Sequence, residues 1–248
     1  MLLVASTIAG CGDPQMASGA GCVESADEPP ALLLADADVD DGSSVLADLR
    51  ARPGGWRQRQ EYRVVVSGKA VREAEELTGT AGEPEAIQAL DVNDDDWTEF
   101  ARNDGRWSNR SSADPTWVAG VVRPEEEMAY ELALALPLGL ADGAEDRVFE
   151  GTVVVDGTTL QRWCTQHPAD VVPPSLPGVF RFVVHPDGYL VEWVVLLREP
   201  GRVECMEGSM EFASTVGPPG LVDHLPREWM TDLQILSSCR DEIEASTS

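Results

Sequence analysis

Three tight turns, each carrying an Asp-Gly step between runs of alternating side chains, commit most of this chain to antiparallel β-structure. Asn103-Asp104-Gly105 separates two aromatic-bearing arms in "WTEFARNDGRWSNR" (97–110), and Asp156-Gly157 does the same in "RVFEGTVVVDGTTLQRW" (147–163). Pro186-Asp187-Gly188 joins "VFRFVV" (179–184) to a further run over 189–198. Asn, Asp and Gly tolerate the positive φ that short hairpin turns require, and alternation sends successive side chains to opposite faces of a sheet. The longest such run starts at Trp56: Trp56, Gln58, Gln60, Tyr62, Val64 and Val66 share one face, and Arg57, Arg59, Glu61, Arg63 and Val65 the other. Further strands are expected over 69–78, 84–90 and 202–213.

One segment breaks this pattern. In "RPEEEMAYELALALPLGL" (123–140), Pro124 occupies a first-turn position and three glutamates suit the positive end of a helix. Met128, Leu132 and Leu136 recur every four residues, while Tyr130, Ala133 and Leu134 make the other side apolar too. A helix apolar nearly all round must be enclosed. Pro137 removes an interior hydrogen bond, so this helix is expected to end near Leu136. A short helix over 45–50, capped by Ser44 and stopped by "RPGG", is expected earlier, and 227–239 is expected to close the fold as helix or strand.

The charge is lopsided, with 44 Asp and Glu against 18 Lys and Arg for a net −26. Such a surface repels nucleic-acid phosphates and anionic headgroups, so nucleic acid is not an expected partner. Catalytic signatures are absent. His167, His185 and His224 fall beside turns or loops, and no GxSxG, HExxH, GxGxxG or GxxxxGK accompanies them. "DADVDDG" (36–42) has its glycine at the seventh place of a calcium loop instead of the sixth. The chain is therefore read as no enzyme, with no catalytic residue, metal or cofactor. Of seven tryptophans, Trp56, Trp97, Trp107, Trp163 and Trp193 fall in or beside expected strands, where a core role is the ordinary one.

The first nine residues are apolar and uncharged, far short of the about twenty needed to span a bilayer. Small residues after such a run are what a signal peptidase accepts. Ile8-Ala9-Gly10-Cys11 resembles the lipobox of prokaryotic lipoproteins, in which the cysteine thiol receives a diacylglycerol. That resemblance implies a signal peptide over 1–10, acylation (palmitate) at Cys11 and an extracytoplasmic, membrane-anchored protein. No Lys or Arg precedes Arg50, which leaves room for a start upstream of Met1. Residues 11–43, rich in Gly, Ala, Pro, Asp and Glu, are expected to form a flexible tether, 44–240 one domain and 241–248 a disordered tail. Cys22, Cys164, Cys205 and Cys239 remain, an even number that favours disulfides outside the cytoplasm and allows three pairings. Cys164 with Cys205 is expected within one sheet, and Cys22 with Cys239 across the chain ends.

The order of these features is similar to the lipoprotein-carrier superfamily of LolA/LolB-like and LppX/LprG-type proteins. The residues that carry it are the lipobox, the long strand, "TEFARNDGRW", the apolar "LALALPLGL", "FEGTVVVDGTTLQRW" and "FRFVVHPDGYLVEW", over about 45–215. The resemblance implies an α+β, mainly β fold, a curved antiparallel half-barrel sheet wrapped around a central helix with an apolar cavity for acyl chains. By strand parity that cavity is expected to be lined by Tyr62, Val64, Phe100, Met128, Leu132, Leu136, Val153, Val155, Phe182, Val184 and Trp193. The expected function is binding or transfer of an acylated lipid or lipopeptide without chemistry, by a monomer in the cell envelope. The alternative is an extracytoplasmic protein-interaction or envelope-assembly module whose core is full.

Overall fold

The computed structural model describes residues 21–34, 47–49, 51–52, 54–66, 69–80, 85–91, 96–103, 106–119, 134–144, 146–166, 178–199, 201–213 and 233–239. The strands are β1 (Gly55–Val66), β2 (Lys69–Thr80), β3 (Glu85–Asp91), β4 (Asp96–Asn103), β5 (Arg106–Ser111) and the short β6 (Val118–Ala119). After the helix come β7 (Val148–Val155), β8 (Thr158–Thr165), β9 (Gly178–Val184), β10 (Leu190–Glu199) and β11 (Arg202–Ala213). They form one curved antiparallel sheet in the order β6-β5-β4-β3-β2-β1-β11-β10-β9-β8-β7. Two meanders thus meet where the first strand pairs with the last, Gly55 opposite Ala213 through Val66 opposite Arg202. The expected mainly β, α+β class is the observed one.

The turns form where their residues allow. Asp156 and Gly157 take φ of 49° and 81° between β7 and β8. At the next hairpin Gly188 has φ 90° and donates its N–H to the His185 carbonyl at 2.8 Å, while the His185 N–H donates to Tyr189 at 2.8 Å. This is a turn followed by a one-residue glycine bulge, one of the common short hairpin connections.

A helix over 134–142 lies against one sheet face, with Leu134, Ala135, Leu138, Leu140 and Ala141 buried in the same cluster as Trp56, Phe180, Phe182 and Trp193. It corrects the expected end at Leu136: Pro137 sits inside it. Leu138, Leu140 and Ala141 beyond the proline are buried against the sheet, and that burial accompanies the helix past it. The last turn closes with the Gly143 N–H donating to the Gly139 carbonyl at 2.9 Å.

Two glycines let tryptophans lie flat on this face. The Trp56 ring covers Gly79, its register partner on β2, and a Cβ there would stand 2.5 Å from Trp56 Cζ2. Trp193 covers Gly208, where a Cβ would overlap the indole and lie 2.7 Å from the Arg59 carbonyl oxygen. Neither obstacle can yield cheaply, since one is a buried ring and the other is backbone. Gly208→Ala is therefore expected to cost about 1–3 kcal/mol as an overpacked core, read as a lower denaturant midpoint with altered near-ultraviolet circular dichroism. An unchanged spectrum would show that the indole does not rest on this glycine.

The opposite face carries its own cluster, Leu160, Val183, Val194, Leu196, Cys205, Leu236 and Cys239. Both disulfides cover this side, and they correct the expected pairing: Cys22 bonds Cys164, and Cys205 bonds Cys239. Cys164 on β8 and Cys205 on β11 do point to one face, but β9 and β10 stand between them. Three strand spacings amount to about 14 Å, beyond the about 7 Å that a disulfide can bridge between Cα atoms.

The first disulfide also changes the reading of 21–34, which was expected to belong to a free tether. From Cys22 on the far face the chain passes the edge strand β7, where the Ser25 N–H donates to the Phe149 carbonyl at 2.8 Å. It then packs Leu32 and Leu34 against the helix-bearing cluster. An edge strand otherwise open to pairing is thereby covered over part of its length. Toward the other terminus, the described residues 233–238 are neither the helix nor the strand expected. They form an irregular strap, because carboxylates on the sheet take its backbone donors: Glu192 accepts from Gln234, Ile235 and Leu236 at 2.7, 2.9 and 2.9 Å, and Glu207 accepts from Cys239.

Candidate functional site

The face under the helix is the candidate site. Across the sheet its central row runs Phe149, Trp163, Phe182, Trp193, Gly208 and Gln60. Phe149 meets Trp163 with ring centroids 5.2 Å apart, and Phe180 meets Phe182 at 4.8 Å. The surface is apolar and aromatic from β7 to β10 and turns polar at β1, where the Gln58 amide donates to Gln60 at 3.3 Å. Toward β4 it regains apolar character at Leu77 and Phe100.

Near the β9–β10 turn this face is flanked by Arg52, whose guanidinium lies 4.3 Å from the Tyr189 ring centre and 4.6 Å from that of Phe212 and pairs with Asp187 at 2.9 Å. Burial, with Asp48 nearby, pushes the Tyr189 hydroxyl above its ordinary pKa. Partly buried apolar residues border the cluster, among them Leu32, Leu34, Leu136, Leu197, Met206 and Phe212.

Of the residues expected to line a cavity, Phe182, Val184 and Trp193 belong to the buried cluster on this face, and Phe100 and Leu136 pack on it partly buried. Tyr62 and Val64 share the face by register, opposite Met206 and Glu204. Val153 and Val155 do not; they join the cluster on the other side. The cause is a bulge at Glu150, where the register steps from Phe149 to Gly151 and Gly151 takes φ 111°. One extra residue turns every later side chain of β7 to the opposite face. A second bulge, between Leu190 and Glu192, does the same to β10 and aims Glu192 at the strap. Met128, Leu132 and Cys11 lie outside the described residues.

The sequence reading missed several residues of this face. Leu138, Leu140 and Ala141 follow a proline taken as a stop, though the run "LPLGL" was itself a signal of continuing burial. Leu32 and Leu34 were assigned to a tether despite standing in the apolar "ALLL". Trp97 and Trp117 belong elsewhere, flanking the Arg110 guanidinium at 5.6 and 4.8 Å.

Tyr62, on this face by register, donates its hydroxyl to Glu204 at 2.9 Å. Burial first, then the Glu204 hydrogen bond and charge, raise its pKa from 10.0 to about 12. A raised pKa means the folded state holds the proton more tightly. The resulting stability is whole below pH 10 and is lost as pH rises through 12. Spectrophotometric titration should show a tyrosine ionising near pH 12 that is lost in Tyr62→Phe, and that variant should lessen the stability loss between pH 10 and 12. Persistence of that loss in the variant would assign it to another group.

A second feature lies on the far face, a groove of about 430 Å³ bordered by Arg59, Leu160, His185, Val191, Glu211 and Ile235. His185 serves the turn there, its Nδ1 accepting the Asp187 N–H at 3.1 Å. Among the described residues no group of three or more His, Cys, Asp or Glu could hold a metal, and no helix is long and apolar enough to cross a membrane.

No family model matches the chain, and no curated protein does. Solved structures similar to it include the lipoprotein LppX of Mycobacterium tuberculosis, 16% identical, with 62% of this chain and 84% of that one covered at a TM-score of 0.36. LprF of Mycobacterium bovis is 11% identical over 73% of this chain and 93% of that one, at 0.35. A LolA-superfamily protein of Nitrosomonas europaea is 7% identical over 70% and 94%, at 0.28. These likenesses are partial, and the functional reading below rests on this chain's own residues.

Proposed function

We propose that this chain is an extracytoplasmic lipoprotein, anchored through acylated Cys11, that holds the hydrocarbon of an acylated lipid or lipopeptide between its helix and the sheet and changes no bond in it. The observation that carries this reading is the apolar, aromatic face under the helix, where Leu134, Leu138 and Leu140 cluster with Phe149, Trp163, Phe182 and Trp193 and partly buried apolar side chains, Phe100, Leu136, Leu197 and Met206 among them, border the cluster. Moving an acyl chain from a bilayer into water costs about 0.8 kcal/mol per methylene, so only an apolar enclosure can carry one.

The test is native mass spectrometry of the full chain carrying Cys11→Ala, with lipid extraction alongside. A bound acyl lipid is expected, and Leu136→Arg should reduce its retention by about tenfold or more by placing a charge on the hydrocarbon path. The second reading, an interaction module with a filled core, draws on the helix residues 134–141, several of them almost wholly buried against the sheet. Complete absence of lipid from the full chain, and no binding of fatty-acyl probes, would favour that reading over the first.

A further inference from the structure

The sheet ends on two edge strands, and the two are finished differently. β6 is two residues long, whereas β7 runs for eight. Only the first half of β7 is covered, where the Ser25 N–H reaches the Phe149 carbonyl and the Val23 N–H reaches Glu150 at 3.1 Å. Beyond the Glu150 bulge lies Thr152-Val153-Val154-Val155, a run of β-branched residues in which Thr152 is exposed and Val154 is 66% exposed. Val155 faces Thr158 across the two-residue turn, so its N–H and C=O point to β8. By the alternation of the ladder those of Thr152 and Val154 point outward, and among the described residues no backbone bond takes them. Natural edge strands are blunted by lysine, proline or a bulge, and this half of β7 carries none of the three.

We infer that residues 152–155 of β7 form a strand-addition site for an extended, basic peptide segment of a partner protein. Main-chain hydrogen bonds to such an edge supply affinity, and the charge around it selects the occupant. Residues 23–28, which cross β7, and 142–158, which contain it, hold eight Asp and Glu against one Arg. Under a tenth of the chain thus carries more than a quarter of its net −26. Asp146 precedes the strand, Glu24 and Asp27 flank Ser25, Asp156 opens the turn that ends the strand, and all four are exposed. Among the described carboxylates of these stretches only Glu150 is ion-paired, with Arg181 at 3.7 Å, and the Arg147 guanidinium donates to the Ala141 carbonyl. A second copy of the chain fits badly. Antiparallel pairing of β7 with itself about Val153 sets Val154 opposite Thr152 but Asp156 opposite Glu150, like charges that oppose the pairing. A partner carrying Lys or Arg at the ends of a β-branched run meets the same edge with attraction in place of repulsion. This inference is independent of the acyl-binding reading, because the outer edge of β7 is open whether or not the helix-bearing face holds a ligand.

The experiment uses the full chain carrying Cys11→Ala and two short labelled peptides of alternating valine and threonine, one ended by lysines and the other by glutamates. Fluorescence anisotropy should show the lysine peptide binding at least about tenfold more tightly than the glutamate one, with the gap closing as salt is raised. Its binding should also slow hydrogen exchange at the Thr152 and Val154 amides. Val154→Pro removes one outward N–H and leaves the β8 ladder intact, so it is expected to weaken the lysine peptide about fivefold or more. Should that variant unfold, Val154→Lys in its place is expected to weaken it by a similar factor, through like charge at the edge. Equal binding of the two peptides, binding of neither, binding that leaves both amides unprotected, or binding indifferent to the substitutions would each overturn the inference. Concentration-dependent dimerisation of the chain that Val154→Pro abolishes would also overturn it, in favour of a second copy.

Discussion

A chain in which Cys22 and Cys164 are both alanine should unfold with a stability loss approaching about 5 kcal/mol. The bridge closes a loop with a sequence separation of 142, and chain-entropy arguments assign about that much to a loop of this length. The same arithmetic gives about 4 kcal/mol for Cys205–Cys239, whose separation is 34. The first bridge does more than shorten the unfolded chain. It holds the segment that crosses β7 and sets Leu32 and Leu34 on the helix-bearing cluster. Denaturant unfolding should therefore show a lower midpoint, and limited proteolysis should cut between residues 22 and 34 before the sheet opens. A midpoint within measurement error of the parent would mean that this crossing holds without its covalent tie.

Glu192→Ala is expected to cost about 3–5 kcal/mol, the range for removing one partner of a buried charged contact. The Glu192 carboxylate is 4% exposed and receives three consecutive backbone N–H groups from the strap. Alanine would leave all three donors without this acceptor, the Leu236 N–H in a buried setting. Glu192→Gln keeps one oxygen and loses the charge, so a smaller loss of about 1–3 kcal/mol is expected. The Cys205–Cys239 bridge still tethers the strap in both variants. Hydrogen exchange at 234–236 should accelerate more than at the centre of β9, whereas equal acceleration in both places would make the carboxylate a determinant of the whole sheet and not of the strap.

The strands were legible because each hairpin carries its own instruction. Alternation from Trp56 to Val66 and the turns at Asn103-Asp104-Gly105, Asp156-Gly157 and Pro186-Asp187-Gly188 are local signals, and each coincides with an observed hairpin or strand. Phe182 and Val184 lie on the helix-bearing face by unbroken parity from their turn, while Trp193 reaches it across the bulge between Leu190 and Glu192. Val153 and Val155 were misplaced because a bulge is invisible to a period-two count, although Gly151 within β7 was the residue that could have announced it. Pro137 misled in the opposite sense. The apolar run that follows it is buried against the sheet, a tertiary outcome that the local cost of a proline does not foretell.

What the amino-acid order determined alone was the set of strands, their turns and the presence of one enclosed apolar segment. Those depend on neighbours within a few residues, where backbone sterics and side-chain periodicity act directly. Partners distant in sequence were decided by the assembled sheet: which cysteines meet and which carboxylates seize the strap. Such pairings depend on strand order, and strand order comes from the competition among whole surfaces for burial, to which no short stretch holds the answer.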